Sequence, residues 1–227
     1  MEKIVFKDTD WGKGAAGVLS DHINKVLSLK KKCSVFLTGG RGAARIYPFL
    51  ATALKECKDE ISFYLGDERC VAANHPDSNY GMILKTLFHD GIGNGWKLYK
   101  MYDAADDPET AATKYEKIIP EEADILILGL GDDGHVASLF PQQSWTNEND
   151  RKVIPAISPV NMQQRITITK TVIGRAKQII VLASGTGKMR VLSELSVNSD
   201  IAALPARMAL KGLWILDESA GGEIIKN

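Results

Sequence analysis

The segment from Ala123 to Pro141, ADILILGLGDDGHVASLFP, constrains the fold of this chain more than any other segment. Its apolar run, Ile125 to Leu128, is followed by Gly129 and Gly131, and then by polar residues that include two aspartates, a histidine and a serine. A short continuous apolar run bounded by turn residues indicates a strand buried on both faces of a parallel sheet. The polar groups therefore follow the carboxyl end of that strand, which is the edge where open α/β sheets bind ligands.

Strands and helices alternate along the whole chain. Besides the run at Ile125–Leu128, the predicted strands are Lys3–Phe6, Ser34–Leu37, Ile61–Leu65, Lys97–Met101, Val153–Ile157, Arg165–Thr169, Gln178–Ala183 and Leu213–Leu216. The predicted helices are Trp11–Lys30, Ala43–Cys57, Asn79–Phe88, Pro108–Ile118, Thr171–Ala176, Met189–Leu195 and Ile201–Leu210. We therefore predict a single α/β domain over residues 1–227, with an open, mainly parallel twisted sheet and helices on both faces, similar to a Rossmann fold.

Charge and cysteine content exclude several classes of function. Lys and Arg total 28 against 28 for Asp and Glu, and no basic run exceeds Lys30–Lys32, so we expect neither a nucleic-acid nor a membrane partner. Cys33, Cys57 and Cys70 form no CxxC pair, which indicates free thiols in a reducing compartment. The N-terminal sequence lacks the apolar region of a signal peptide, and no apolar run approaches the ~18 residues of a membrane span. We therefore expect a cytoplasmic protein.

Residues Gly129–Gly134 match the dinucleotide fingerprint GxGxxG, which needs a helix N-terminus aimed at a pyrophosphate. Two aspartates inside the loop would repel that anion, and Pro141 follows too soon for a full crossover helix, so we reject the dinucleotide interpretation. Two interpretations remain. One is an Asp-Gly turn with His135 hydrogen-bonded nearby. The other, which we favour, is a proton-transfer site, because an acid, an imidazole and a hydroxyl cluster at the ligand edge.

A glycine turn, Thr38–Gly42 (TGGRG), follows the second predicted strand. Backbone N–H groups and the dipole of a following helix can hold a phosphate in such a turn. A plain tight turn between a strand and a helix fits the sequence equally well. The GK[ST] residues of a P-loop are absent, which argues against a nucleoside triphosphate as the ligand.

Cationic side chains fall at the same predicted edge of the sheet. Arg69 lies in the acidic loop Gly66–Ser78, Arg165 opens a predicted strand, and Lys188 lies in a glycine loop after another strand. An ion pair with a nearby acid would explain any one of them, but together with the glycine turn they predict a small phosphorylated ligand. The histidines show no zinc-ligand spacing, so we expect no metal and no other cofactor.

Four sequence blocks resemble those of a known family. GLGDDGHVASLFP resembles the signature G-x-G-x-DGH-x-ASLFP of 6-phosphogluconolactonases, and GDERCVAANHPDSNYGM resembles their DER…DSNYG segment. RITIT and GTGK resemble two further blocks in the same order, so the resemblance spans about Ser34 to Lys188. It implies a fold like that of glucosamine-6-phosphate deaminase. It also implies hydrolysis of 6-phospho-D-glucono-1,5-lactone to 6-phosphogluconate, the second step of the oxidative pentose phosphate pathway.

The resemblance also implies roles for individual residues. His135 would be the general base and then the general acid, and Asp133 would orient the imidazole or its loop. Arg165 would support the phosphate or the developing oxyanion. The substrate phosphate would lie against Gly39, Gly40, Arg69 and Lys188.

This chain departs from the family pattern in two places. TGGRGA replaces SGGSTP, which puts Arg41 where a serine near the phosphate is usual, and Ala72 and Ala73 replace a proline pair. Two alternatives stay open. A related sugar-phosphate isomerase or deaminase is disfavoured because ASLFP replaces the AFNEP-like stretch that holds a catalytic glutamate. A sugar-phosphate sensor that binds without turnover is kept open by Arg41. The oligomeric state, monomer or homodimer, is left open as well.

Overall fold

A computed structural model of the protein describes residues 1–57, 59–93 and 95–221. Its strands are β1 (Glu2–Phe6), β2 (Lys32–Leu37), β3 (Glu60–Leu65), β4 (Asp67–Arg69), β5 (Trp96–Leu98), β6 (Ile125–Gly129), β7 (Val153–Ile157), β8 (Gln164–Ile168), β9 (Gln178–Ala183) and β10 (Leu213–Asp217). Its α-helices are α1 (Trp11–Lys30), α2 (Gly40–Leu54), α3 (Asn79–Thr86), α4 (Pro108–Glu116), α5 (Lys170–Arg175), α6 (Met189–Val197) and α7 (Glu218–Gly221). Short 3-10 helices cover Ser144–Asn147, Thr186–Lys188 and Pro205–Ala209.

In the described part of the chain, the main sheet has seven parallel strands in the order β1-β10-β9-β6-β2-β3-β5. From β2 the chain adds β3 and β5 on one side, then returns to β6 and adds β9 and β10 on the other. In β6 the successive side chains Ile125–Leu128 are all buried, which requires packed layers on both faces of the sheet. The predicted α/β class with a mainly parallel sheet covered on both faces is confirmed.

Helix α1 has the boundaries that the sequence pattern predicts. Its buried side chains include an unbroken series spaced four residues apart, Trp11, Ala15, Leu19, Ile23 and Leu27. That spacing keeps them on one helix face, which packs into the core. The helix ends where Lys31 adopts a left-handed conformation (φ 60°) and its N–H donates to the carbonyl of Leu27 at 2.9 Å.

A second, smaller sheet was not predicted. Strands β4, β8 and β7 pair antiparallel in that order, so Val153–Ile157 and the strand near Arg165 are strands, but they lie outside the main sheet. The predicted loop Gly66–Ser78 contains β4, which places Arg69 directly opposite Arg165. A strand of three residues carries no periodic signal, and its partner lies far away in the chain, so the sequence pattern did not reveal it.

Two predicted helices differ from the structure more than the others do. Helix α2 begins at Gly40 rather than Ala43. Its first turn contains two glycines, which have a low helix propensity, so the sequence predicted a turn there. The predicted helix Ile201–Leu210 is reduced to a 3-10 helix over Pro205–Ala209. Pro205 disfavours the helical conformation at the preceding residue, which explains why the helix does not start earlier.

Three further expectations concern the chain as a whole. Within the described residues, no helix is long and apolar enough to cross a membrane. The three cysteines are free thiols, as predicted. The single domain over residues 1–227 stays a prediction, and its residues 58, 94 and 222–227 lie outside the described part of the chain.

Two buried tyrosines hold the carboxyl ends of β2 and β3. The hydroxyl of Tyr47 accepts from the N–H of Thr38 at 3.1 Å and donates to its carbonyl at 2.7 Å. The hydroxyl of Tyr115 accepts from the N–H of Leu65 at 2.7 Å and donates to its carbonyl at 3.3 Å. Burial raises the pKa of both tyrosines, so both hydroxyls stay protonated and keep the donor that the carbonyl needs.

We expect Tyr47→Phe and Tyr115→Phe each to lower the free energy of unfolding by about 1–3 kcal/mol, because each leaves a buried N–H and a buried carbonyl unpaired. Urea unfolding followed by circular dichroism measures the change. Tyr80→Phe is the control, since the Tyr80 hydroxyl forms no hydrogen bond with the described residues. Equal stability losses in all three variants would contradict this account of the tyrosines.

Candidate active site

A cleft of about 680 Å³ opens at the carboxyl edge of the main sheet. It lies beyond the ends of β2 and β6, the two neighbouring strands between which the direction of strand addition reverses. Open α/β sheets bind ligands in this position because the loops after such strands run in opposite directions. Seven of the predicted site residues line the cleft, namely Gly39, Gly40, Arg41, Arg69, His135, Arg165 and Lys188.

The eighth predicted residue, Asp133, does not line the cleft but contacts His135. Its Oδ1 lies 2.5 Å from His135 Nδ1 and accepts from the His135 backbone N–H at 3.1 Å. Burial raises the pKa of Asp133, but the hydrogen bonds and charge of His135 outweigh that effect and hold it below the usual value. Because an ionised carboxylate only accepts hydrogen bonds, Asp133 holds a proton on Nδ1, so in the neutral form of the imidazole the free lone pair is on Nε2.

Nε2 of His135 is available to a ligand. It forms no hydrogen bond within the described part of the chain, and the His135 side chain is 30% exposed at the cleft. The ring packs on Phe140, with 4.7 Å between ring centroids. The guanidinium of Arg165 lies over the same ring, 5.8 Å from its centroid. Phe140 therefore contacts both the imidazole and a guanidinium.

Two glycines of this turn are required, for different reasons. A Cβ at Gly131 would lie 2.1 Å from His135 Nδ1 and 2.6 Å from Asp133 Oδ1. Gly134 has a φ of 86°, a conformation that glycine adopts without strain. The GxGxxG spacing thus serves a tight turn that folds His135 back over the strand end.

Ser138, the hydroxyl of the predicted proton-transfer cluster, has a different environment. Its side chain is fully buried and donates to Asp67 Oδ2 at 2.7 Å. Asp67 also accepts from Asn79 Nδ2, through its backbone carbonyl at 2.9 Å and its carboxylate at 3.3 Å. The acid and the imidazole face each other, whereas the serine hydroxyl supports the neighbouring sheet.

Arg69 and Arg165 form a cationic pair on the second sheet. They are cross-strand partners, and the Arg165 side chain is only 12% exposed. Their Nε atoms are buried and have no hydrogen-bond partner within the described residues. The nearest carboxylate oxygen, Asp67 Oδ2, lies 3.7 Å from Arg165 Nη1, and Arg69 Nη1 donates to the carbonyl of Asp77 at 2.5 Å. Burial and the charge of Arg69 lower the pKa of Arg165, although a guanidinium stays charged at neutral pH.

The glycine turn leaves the N-terminus of α2 open. Gly39 precedes the helix in an extended conformation, Gly40 has a φ of 88°, and no described side chain caps the helix. A Cβ at Gly39 would lie 1.8 Å from Asn79 Oδ1, so only glycine fits there. The unpaired N–H groups of the first turn and the helix dipole favour an anion at this end of the cleft.

Arg41 and Lys188 bring further positive charge to the cleft. Arg41 is exposed in the first turn of α2 and forms no hydrogen bond or ion pair with the described residues. Lys188 lies in a 3-10 turn after β9, and its Nζ contacts Asp132 Oδ1 at 2.6 Å.

Sequence reasoning missed Arg45 and Asn79, which also line the cleft. The guanidinium of Arg45 lies 5.1 Å from the Trp11 ring centroid and donates to Ser184 Oγ at 2.9 Å. Its position in the first turn of the predicted helix Ala43–Cys57, directly after the glycine turn, was a usable signal. Asn79 had none, because its contact with Gly39 depends on how α3 packs. Within the described residues, no group of three or more His, Cys, Asp or Glu side chains could hold a metal ion.

Comparison with known sequences assigns the chain to a family of sugar-phosphate enzymes. Residues 8–215 match the family described as Glucosamine-6-phosphate isomerases/6-phosphogluconolactonase. The chain is 33% identical over 218 residues to a 6-phosphogluconolactonase of Synechocystis, with 89% of each chain covered. It is 29% identical over 201 residues to a 6-phosphogluconolactonase of Pseudomonas putida, covering 85% of this chain and 81% of that one.

Comparison of structures agrees with the sequence matches. The crystal structure of a 6-phosphogluconolactonase from Thermotoga maritima superposes with a TM-score of 0.82 at 27% identity. The superposition covers 95% of this chain and 99% of that one. This chain therefore belongs to the glucosamine-6-phosphate isomerase/6-phosphogluconolactonase family.

Proposed function

We propose that this protein is a 6-phosphogluconolactonase, a hydrolase that opens 6-phospho-D-glucono-1,5-lactone to 6-phosphogluconate in the oxidative pentose phosphate pathway. The observation that carries the proposal is the free Nε2 of His135, backed by Asp133, in a cleft lined by cationic side chains. The imidazole can act as the general base that ester hydrolysis requires, and the cationic side chains can bind the phosphate of the substrate. The relatives that match most of the chain are named 6-phosphogluconolactonases, and they lend no support to a sensor or a deaminase.

In this proposal His135 performs both proton transfers. Nε2 takes a proton from a water molecule as the water oxygen attacks C1 of the lactone, and the carbonyl oxygen becomes an oxyanion. When the tetrahedral intermediate collapses, the bond from C1 to the ring oxygen breaks and the imidazolium donates its proton to that oxygen. Asp133 keeps the second proton on Nδ1 and stabilises the imidazolium while it exists.

The proposed phosphate site lies at the open end of α2. Backbone N–H groups of Gly39 and Gly40 would bind phosphate oxygens, with charge supplied by Arg41, Arg69 and Lys188. Arg165 has unused donor capacity at Nε and lies over the ring on which His135 packs. We propose that it supports the phosphate or the oxyanion. A cytoplasmic location and a monomeric or homodimeric state complete the proposal.

His135→Ala should lower kcat by roughly 10²- to 10⁴-fold, the usual contribution of general acid–base catalysis. The assay follows hydrolysis of freshly generated 6-phosphogluconolactone against its spontaneous background. His89→Ala is the control, since that ring is 45% exposed beside Asp90 and outside the cleft. If the wild type does not accelerate hydrolysis, the proposed function fails. A fully active His135→Ala variant would remove only this residue from the mechanism.

Lys188→Ala should lower kcat/KM for the phosphorylated lactone by roughly 10- to 100-fold, the equivalent of one hydrogen bond to a charged group. Hydrolysis of unphosphorylated glucono-1,5-lactone should change little, because that substrate has no phosphate for the lysine to bind. Both substrates are assayed with Lys188→Ala and with Lys55→Ala, an exposed lysine just beyond the far end of α2. Equal losses for both lactones would show that Lys188 does not bind the phosphate.

A further inference from the structure

Lys188 is occupied by a carboxylate of the same chain. Its Nζ contacts Asp132 Oδ1 at 2.6 Å, and both residues line the cleft. The Lys188 side chain is 19% exposed, whereas that of Asp132 is 72% exposed. A phosphate that binds Lys188 therefore meets an ammonium group already paired with a negative charge.

Asp132 is held in this position by its neighbours. Its backbone carbonyl accepts from Arg190 Nη2 at 3.0 Å, while Arg190 Nη1 pairs with Glu194 Oε1 at 2.6 Å. The Asp132 carboxylate also lies against Gly187, where a Cβ would be 3.1 Å from Oδ1. The ion pair thus joins the turn that carries the catalytic histidine to the loop that carries Lys188.

The exposure of the Asp132 carboxylate determines the cost of separating this ion pair when a phosphate binds Lys188. If Lys188 turned toward a phosphate, the carboxylate of Asp132 would be left in water and not in a buried, unpaired state. Exchange of one anion for the other therefore carries little desolvation cost. If both anions stay near the ammonium group, they repel each other.

We propose that Asp132 is a positioning residue that acts as a resident counter-ion: it pairs with Lys188 and competes with the ligand phosphate for it. This lowers the affinity for phosphorylated ligands, including the reaction product, and so favours product release. The inference rests on the proposed function only in taking the ligand to be a phosphorylated sugar. It goes beyond that function in assigning to an acidic residue control over how tightly the phosphate is held.

The test is calorimetric titration of 6-phosphogluconate and of gluconate into the wild type, Asp132→Asn and Asp132→Glu. Asparagine keeps the shape of the side chain but removes its charge. We expect Asp132→Asn to bind 6-phosphogluconate about 2- to 5-fold more tightly, the range for an exposed ion pair. Binding of gluconate, which has no phosphate, should not change. Asp132→Glu should restore the wild-type Kd because it restores the charge.

Two controls separate the local contact from general charge effects. Asp21→Asn removes one negative charge from the exposed face of α1 and should leave the Kd unchanged. In a Lys188→Ala background, Asp132→Asn should lose most of its effect, because the competition runs through that lysine.

The possible results are distinct. Weaker or unchanged binding of 6-phosphogluconate by Asp132→Asn overturns the inference. An equal gain in affinity for gluconate also overturns it, as does the absence of binding by both the wild type and Asp132→Asn. Weaker binding would mean that Asp132 presents Lys188 to the phosphate. If Asp132→Asn binds 6-phosphogluconate more tightly while the wild type fails to hydrolyse the lactone, the counter-ion role is supported and the proposed function alone is rejected.

Discussion

The pairing of β2 with β6 in the centre of the sheet is the constraint on which the cleft depends. Val35 and Phe36 pair with Ile125 and Leu126, and beyond them Thr38 Oγ1 accepts from the N–H of Gly129 at 3.1 Å. The strands on the two sides are added in opposite directions, so a crevice opens above this contact. The glycine turn enters it from β2 and the histidine turn from β6. The glycine turn and His135 therefore line the same cleft.

Charge in the cleft is arranged locally, since the chain carries no formal net charge at pH 7. The acids near the cationic side chains have different degrees of burial. Asp67 is buried and bonded to Ser138 and Asn79, so it belongs to the framework that supports Arg165. Asp132 is exposed, and we infer that it competes with a phosphate for Lys188. A protein without net charge can in this way place several cationic side chains at one edge of its sheet.

The elements that were predicted well are those with a long or fully apolar pattern. Helix α1 and strand β9 have the predicted boundaries, because an apolar stripe marks the helix and a run of apolar residues marks the strand. Strand β4 was missed, and with it the second sheet that places Arg69 opposite Arg165. That strand is three residues long, and its pairing partner is distant in the chain, so no local signal marks it.

The sequence by itself determined where strands end in glycine and polar residues, and hence that Gly39, Gly40, His135 and Lys188 would meet at one edge. Local sterics and the period of burial decide this, and both are properties of neighbouring residues. Only the tertiary structure decided that Lys188 pairs with Asp132, that Ser138 is buried on Asp67, and that Arg45 and Asn79 enter the cleft. Those contacts depend on strand order and register, because residues far apart in the chain meet only after the sheet is assembled.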